Sequence, residues 1–431
     1  MQTQYMRRKV EMFRLLPILF VAVSLVFAGQ ARAQYLLVPM GPEQTDHLRA
    51  YGLTYWVLEQ GNEAEWLLNY RSGSFLLPDR PEIRREAALR GVSTEPVSVA
   101  DVVQIRQEIE RSNMESIILE KAPTIAVYTP PNTPPWDDAV TLALEYAEIP
   151  YDEVWDRDVL QGRLSDYDWL HLHHEDFTGQ YSKFYIAYAN EPWLHDEIRR
   201  NEAMAQEFGF ESVPALKKAV AEEIRRYVAE GGLLFAMCTA TETLELALGA
   251  VGVNIAAPFS SGMPIDPDAS RKMQWDRTMA FQNAKIELNP GVNSFSDIDG
   301  HQVNTPWSAP LGTFTLFDFS AKFDPVPSML VQNHESVLPD FYGLTTSFRR
   351  DRLKPGVVVL AEEEGSPWVK YVHGTYGEGT WTFFGGHDPE DPRHRIGDAP
   401  TDLSLRRNSP GYRLILNNVL FPAAQKQTLK T

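Results

Sequence analysis

Cysteine is almost absent: Cys238 is the only one in 431 residues. An internal disulfide is excluded, and in an oxidising compartment a lone thiol is either shielded or used. Positive charge is also in deficit, with 40 Lys and Arg against 58 Asp and Glu and a net charge of −18. So acidic a chain disfavours nucleic acid and anionic membranes as partners and fits a soluble, exported protein equally well with or without a ligand. Beyond the N-terminus no stretch approaches membrane-spanning length. There is no internal repeat and no low-complexity tract.

What is present starts with a leader. Arg7, Arg8, Lys9 and Arg14 make a basic region, Leu15 to Ala28 an apolar one, and Ala31-Arg32-Ala33 a small-x-small cleavage site. Residues 1–33 therefore read as a secretory signal, with an exported, periplasmic or extracellular chain beginning near Gln34 and no membrane contact after cleavage. An uncleaved anchor helix is the alternative, disfavoured by the shortness of the apolar run. Removal of this segment takes the net charge from −18 to −22.

Residues 34–120 read as a small α+β domain. Tyr35–Pro39 is a short strand, Glu65–Tyr70 and Ser74–Pro78 flank a glycine turn, and Pro81–Arg90 and Val99–Arg111 are helical, the second behind Ser98 as N-cap. Its aromatics read as core. From Pro123 the rhythm changes. Thr124–Tyr128, Glu153–Trp155 and Asp168–Leu172 are apolar strands that alternate with helices, with Trp136 or Asp137 opening the helix Asp138–Ala147. That alternation predicts an α/β fold with a doubly wound, mostly parallel sheet over residues 121–425. Ligands bind such sheets at the carboxyl ends of strands. About 256–339 the rhythm breaks into Pro, Gly, Asn and Ser, which predicts an insertion with a strand only near Gly312–Phe319. Ser296–His301 hints at a calcium loop but lacks the later acidic ligands, so a plain turn is expected. Strands resume at Gly356–Ala361, Trp368–His373 and Gly379–Phe384, and Pro410–Pro422 closes the chain as an apolar helix.

The chain is organised around Glu230–Leu246. Gly231 and Gly232 end a helix, Leu233–Met237 is an apolar strand buried on both faces, and a helical pattern resumes just after Cys238. Cys238 thus sits on a strand-to-helix bend with the small residues Ala236 and Ala240 on either side, the layout of a nucleophile elbow. The plain alternative is a small buried apolar thiol. His387 stands at the carboxyl end of a later strand, where it can lower the thiol pKa and act as base and acid. Glu390 or Asp388 can orient it.

The stretch Tyr376-Gly-Glu-Gly-Thr-Trp-Thr-Phe-Phe-Gly-Gly-His387, with its closing helix and the Cys238 elbow, resembles class I glutamine amidotransferase-like domains, in particular the trehalose-utilisation (ThuA-like) branch. The resemblance covers roughly the last two-thirds of the chain. It implies a flavodoxin-like fold and a Cys-His-Glu triad, with the nucleophile on Cys238 and the histidine on His387. This chain departs from the pattern in three places. Ala236 and Ala240 replace the elbow glycines. Pro389 stands where the family's acid lies, Glu390 following one residue later. His173-His-Glu-Asp176 replaces the glycines of the oxyanion loop. The opening Tyr35–Gly61 also resembles exported bacterial proteins labelled asparagine synthetase B, but no ATP pyrophosphate loop and no N-terminal nucleophilic cysteine supports that activity.

The resulting expectation is a cysteine-dependent amide hydrolase with Cys238, His387 and Glu390 catalytic and Glu175, Thr239 and Asp388 lining the substrate. No cofactor is expected. The alternatives are a non-catalytic binding or scaffold protein, and a divalent-metal module in which His173 and His174 gain a ligand such as His387, Asp388 or Glu242. Asp388–Asp398 forms a charged loop that either covers Cys238 or is surface. Cys238, His387 and His173–Asp176 should converge on one cleft, with part of the insertion over it and Glu175 nearest the thiol from the third strand.

Overall fold

A computed structural model describes residues 34–131, 138–301, 308–395 and 397–426. The expected leader and the helix start at Trp136 or Asp137 lie outside them. No described helix is long and apolar enough to cross a membrane.

The first strands, β1 (Tyr35–Val38), β2 (Ala64–Leu68), β3 (Ser74–Pro78), β4 (Glu95–Val97) and β5 (Glu115–Leu119), form an antiparallel sheet in the order β4-β1-β3-β2-β5. Helices α1 (His47–Glu59), α2 (Pro81–Arg90) and α3 (Val99–Arg111) accompany it. Proline opens α2 and a left-handed Gly91 closes it, while Ser98 caps α3 as expected and forms a capping box with Asp101.

The second sheet holds β6 (Ile125–Tyr128), β7 (Asp152–Val154), β8 (Trp169–Leu172), β9 (Leu233–Met237), β10 (Thr313–Leu316), β11 (Val337–Pro339), β12 (Phe348–Arg349), β13 (Val358–Glu362), β14 (Trp368–Tyr376) and β15 (Gly379–Phe384). Its order is β11-β10-β13-β14-β15-β9-β8-β6-β7, with β12 on β14. Strands β15, β9, β8, β6 and β7 run parallel, and the pairs from β15 through β14 and β13 to β10 and β11 are antiparallel. The fold is mixed α/β on a mixed sheet, half of it antiparallel where a mostly parallel one was expected. The extra antiparallel half is built partly from the expected insertion, whose three-residue β11 is too short to leave an apolar signature.

Helices cover both faces. They are α4 (Ala139–Ala147), α5 (Asp156–Leu160), α6 (Pro192–Glu207), α7 (Val213–Ala229), α8 (Cys238–Gly249) and, after several short turns, α9 (Pro410–Leu420). The strand side chains divide by pleat. Ile125, Val127, Trp169, Phe235 and Met237 share a cluster with α1, α4 and α9, whereas Ala126, Tyr128, Leu170, Leu234 and Ala236 pack with α7 and α8. Each buried Leu or Phe contributes about 1.5–3 kcal/mol on transfer from water. That two-sided burial explains why the strands read as continuous apolar runs. The first cluster continues into the N-terminal sheet. There buried Arg413 donates to Tyr51 Oη (3.1 Å) and the Met40 carbonyl (2.7 Å) and so ties α9 to α1. The carboxyl ends of β6, β8, β9 and β15 lie side by side on one edge, which positions everything that follows.

Candidate functional site

The elbow is present. Cys238 opens α8 directly after β9 with φ of 49°, a left-handed value for a residue that carries a Cβ. Such a conformation costs on the order of 1–2 kcal/mol and persists where the surroundings over-determine it. Ala236 and Ala240 are fully buried beside it, and the Ala240 N–H donates to the His173 carbonyl at 3.0 Å, which ties the first turn of α8 to the end of β8.

The thiol is 3% exposed. Burial pushes its pKa up, but a hydrogen bond and the charge of His387 outweigh this, helped by the Leu344 N–H and the Thr239 hydroxyl. The thiol ends below the usual range. Its place in the first turn of α8 favours the thiolate further. The Leu344 N–H donates to Sγ at 3.3 Å, and Thr239 Oγ1 lies 3.8 Å from it. Cys238 and His387 are therefore partners, as the spacing along the sheet predicts.

The third member is not the one expected. His387 Nδ1 lies 2.8 Å from His173 Nε2, and His173 Nδ1 lies 3.1 Å from Asp138 Oδ1. Asp138 is the N-cap of α4, accepting from the N–H groups of Val140 (2.7 Å) and Thr141 (3.3 Å), and His171 Nε2 reaches its other oxygen at 3.0 Å. Glu390 instead faces Arg406 at 3.4 Å. Asp388 is absorbed by its own turn, accepting from the N–H groups of Glu390 (2.8 Å) and Asp391 (3.2 Å) and from the Thr401 hydroxyl (2.8 Å). Pro389, half-buried, packs against Gly411 in that turn. Glu175 is likewise corrected. Its carboxylate turns back to accept the His173 N–H at 3.0 Å, and it is the His173 ring that meets His387. Burial lifts Glu175 to about 7.

Imidazoles crowd this edge. The rings of His173 and His174 are 4.2 Å apart, His174 and His387 4.9 Å, and His387 and His394 4.4 Å. His394 brings the charged loop against His387 and is paired with Asp391 at 2.8 Å. Ligand atoms of His173, His174 and His387 lie within 4.8 Å of one another, as do those of Asp138, His171 and His173, so several groups here are close enough to share a metal ion.

A cover that the sequence did not announce lies over the thiol. Residues 340–347 carry Gly343 and Leu344 against Cys238. A Cβ on Gly343 would fall 2.9 Å from the Gly386 backbone and 3.0 Å from Sγ. The cover is held at three points. Lys370 pairs with Asp340 at 2.7 Å and donates to the Phe341 and Thr346 carbonyls. Asp299 accepts the Thr346 N–H at 2.7 Å and the His301 N–H at 3.0 Å. Glu242, one turn along α8 from the cysteine, accepts from Ser296 Oγ (2.5 Å) and Thr345 Oγ1 (3.1 Å). Burial raises Glu242 to about 8 and Asp299 to about 7. The insertion thus contributes the underside of the cover. A cavity of about 720 Å³, lined by Asp168, Tyr227, Gly232 and Gly379, opens at the amino ends of β8, β9 and β15, on the edge away from the thiol.

Sequence reasoning missed Asp138 as a site residue, although its position after β6 at the N-cap of a helix marked the right edge of the sheet. It also missed Gly343 and Leu344, for which no local pattern exists.

No family model matches this chain, and no curated protein does. Among solved structures, a cytoplasmic protein of Salmonella typhimurium LT2 is 13% identical with a TM-score of 0.33, over 70% of this chain and 100% of that one. A second cytoplasmic protein of Salmonella typhimurium is 11% identical with a TM-score of 0.33, again over 70% and 100%. An exo-β-1,4-mannosidase of Opitutaceae bacterium strain TAV5 is 13% identical with a TM-score of 0.27, and the match covers 65% of this chain but only 32% of that enzyme. These likenesses are too distant to carry an argument.

Proposed function

We propose that this chain is an exported cysteine-dependent hydrolase, built on a doubly wound domain of the class I glutamine amidotransferase-like, ThuA-like kind and acting on a small polar substrate of the amide type. The observation that carries the reading is Cys238 itself: a left-handed non-glycine residue between β9 and α8, with its thiol bonded to His387 and a backbone N–H at 3.3 Å. The parallel order of β7, β6, β8, β9 and β15, with helices on both faces, supports the fold reading.

The chemistry follows from those groups. The Cys238 proton passes to His387, and the sulfur attacks the substrate carbonyl carbon to form a C–S bond. The Leu344 N–H, which donates to the sulfur at 3.3 Å, stabilises the thiolate before attack. His387 returns the proton to the departing nitrogen as the C–N bond breaks, then draws a proton from water, which cleaves the thioester. Asparagine synthesis has no support, since no ATP-binding motif exists. Iodoacetamide labelling of the native protein tests the reading. Because the thiol is 3% exposed beneath the cover, the comparison is with His387→Ala, which keeps that cover: wild type should label at least about tenfold faster at neutral pH, and equal rates overturn the reading.

A second reading has its own observation. His173, His174 and His387 offer three nitrogens within 4.8 Å, a set that suits a zinc-class ion. A metal module on the same fold would then replace the thiol chemistry, and elemental analysis of the purified protein separates the two.

A further inference from the structure

A hydrogen-bonded chain leads from the thiol into the core: His387, His173 and Asp138, each placed at the carboxyl end of a different strand. Resting on the cysteine reading above, we propose that Asp138 and His173 are positioning residues that fix the tautomer and orientation of His387, the task the resemblance assigns to an acid just after the histidine.

The proton arrangement follows from what each atom can do. An ionised carboxylate only accepts, so His173 Nδ1, 3.1 Å from Asp138 Oδ1, carries a hydrogen. In the neutral, fully buried ring the other nitrogen, Nε2, is then a bare acceptor. That acceptor lies 2.8 Å from His387 Nδ1, which therefore carries the hydrogen between them. A neutral His387 then has a bare Nε2, the nitrogen left for the thiol. One tautomer satisfies the whole chain, and it is the one a base needs.

The anchor is rigid. Asp138 is held by the N–H groups at the start of α4 and by His171 Nε2 at 3.0 Å. When Cys238 loses its proton, that proton goes to His387 Nε2 and no further. The Nδ1 hydrogen stays on His387 and Asp138 stays ionised, so the chain orients the imidazolium and stabilises its charge. Pro389, at the family's acid position, cannot do this, and Glu390 is turned to Arg406.

The test is Asp138→Ser. Serine caps helices as aspartate does, but it removes the carboxylate that takes the hydrogen of His173 Nδ1. His173 can then hold its hydrogen on Nε2 and donate it to His387 Nδ1, which leaves a hydrogen on His387 Nε2 toward the thiol. Iodoacetamide alkylation of Cys238 at neutral pH should fall by a factor on the order of 10² or more. Long-range ¹H–¹⁵N spectra should move the His387 hydrogen from Nδ1 to Nε2, a signature that loss of packing alone does not give. Asp138→Asn, whose Oδ1 can keep both the cap and the His173 bond while its amide faces His171, should retain more reactivity than Asp138→Ser. His173→Gln, whose amide oxygen can accept from His387, should likewise retain more than His173→Leu. A folded D138S with the wild-type alkylation rate and tautomer overturns the relay and leaves the cysteine reading intact. Equal, ordinary labelling in wild type and His387→Ala overturns the cysteine reading, and the relay falls with it.

Discussion

His173 Nε2 and His387 Nδ1 stand 2.8 Å apart although 214 positions separate them in the chain. The contact bridges the ends of β8 and β15, the two neighbours of β9, so it spans the strand that delivers Cys238. Parallel strand order converts distant sequence into adjacency here, and the consequences can be measured.

Glu390→Gln separates this arrangement from the family pattern. Glu390 pairs with Arg406 and is half-buried, so its loss should leave Cys238 alkylation within about twofold of wild type and cost at most about 1 kcal/mol, the range of an exposed ion pair. A fall of tenfold or more in the alkylation rate would return Glu390 to the triad.

Gly343→Ala tests the cover. The added Cβ meets the Gly386 backbone at 2.9 Å and Cys238 Sγ at 3.0 Å, and backbone on one side cannot rotate away. Overpacking of this kind costs about 1–3 kcal/mol. Denaturation should register that loss, and the Leu344 N–H should leave the sulfur. An unchanged midpoint and labelling rate would show that the cover does not press on the thiol.

Lys370→Met should be the most damaging of these changes. Lys370 and Asp340 are both buried and paired at 2.7 Å, so removal of the lysine leaves an uncompensated carboxylate at a cost of about 3–5 kcal/mol. The double replacement of Lys370 and Asp340 by Met and Leu should recover much of it. Equal loss in the single and double variants, read by urea unfolding, would show that the pair is incidental to the cover.

Much of this was legible. The apolar run Leu233–Met237 followed by small residues announced the elbow because a strand buried on both faces and a bend with no room for side chains each leave a compositional trace. His387 was visible through resemblance and its place after a strand. Asp138 was visible only as a helix start, because its partnership with His173 depends on which strands are neighbours, which no local pattern encodes. Glu390 and Glu175 were placed by analogy with where the family keeps such groups. In this chain Arg406 and the His173 N–H engage them instead. The cover at 340–347 leaves no signature, since a loop held by Lys370, Asp299 and Glu242 owes its position to residues far from it.

Stability should fall as pH rises from about 4.3, the ordinary glutamate value, to about 8, the value of buried Glu242. The sign follows from linkage. A carboxyl whose folded pKa is raised binds its proton more tightly when folded, so its contribution is full below the unfolded value and is lost as pH rises through the folded one. Asp299, lifted to about 7, adds to the same slope. Glu242→Gln mimics the protonated side chain and keeps contacts to Ser296 and Thr345, so it should flatten the slope across this window. A slope unchanged by E242Q in urea unfolding would assign it to other groups.

The last prediction sets metal against thiol. His387 has two ring nitrogens. One faces His173 and the other is left for Cys238, so an ion held by His173, His174 and His387 must take a nitrogen that the thiol or the relay uses. Zinc-class binding should therefore slow alkylation of Cys238 in proportion to occupancy, because the thiol loses the base that lowers its pKa. His174→Ala removes a ligand and no member of the thiol's hydrogen-bonded chain. It should leave alkylation in chelator unchanged, yet weaken zinc binding by about 10-fold or more and abolish the protection. Zinc bound at one ion per chain with no effect on alkylation would place the metal elsewhere, at His301, Asp340 and Glu363 or at Asp391, His394 and Asp398, where ligand atoms are equally close. Protection that survives in the His174 variant would mean that the ion sits on the sulfur itself.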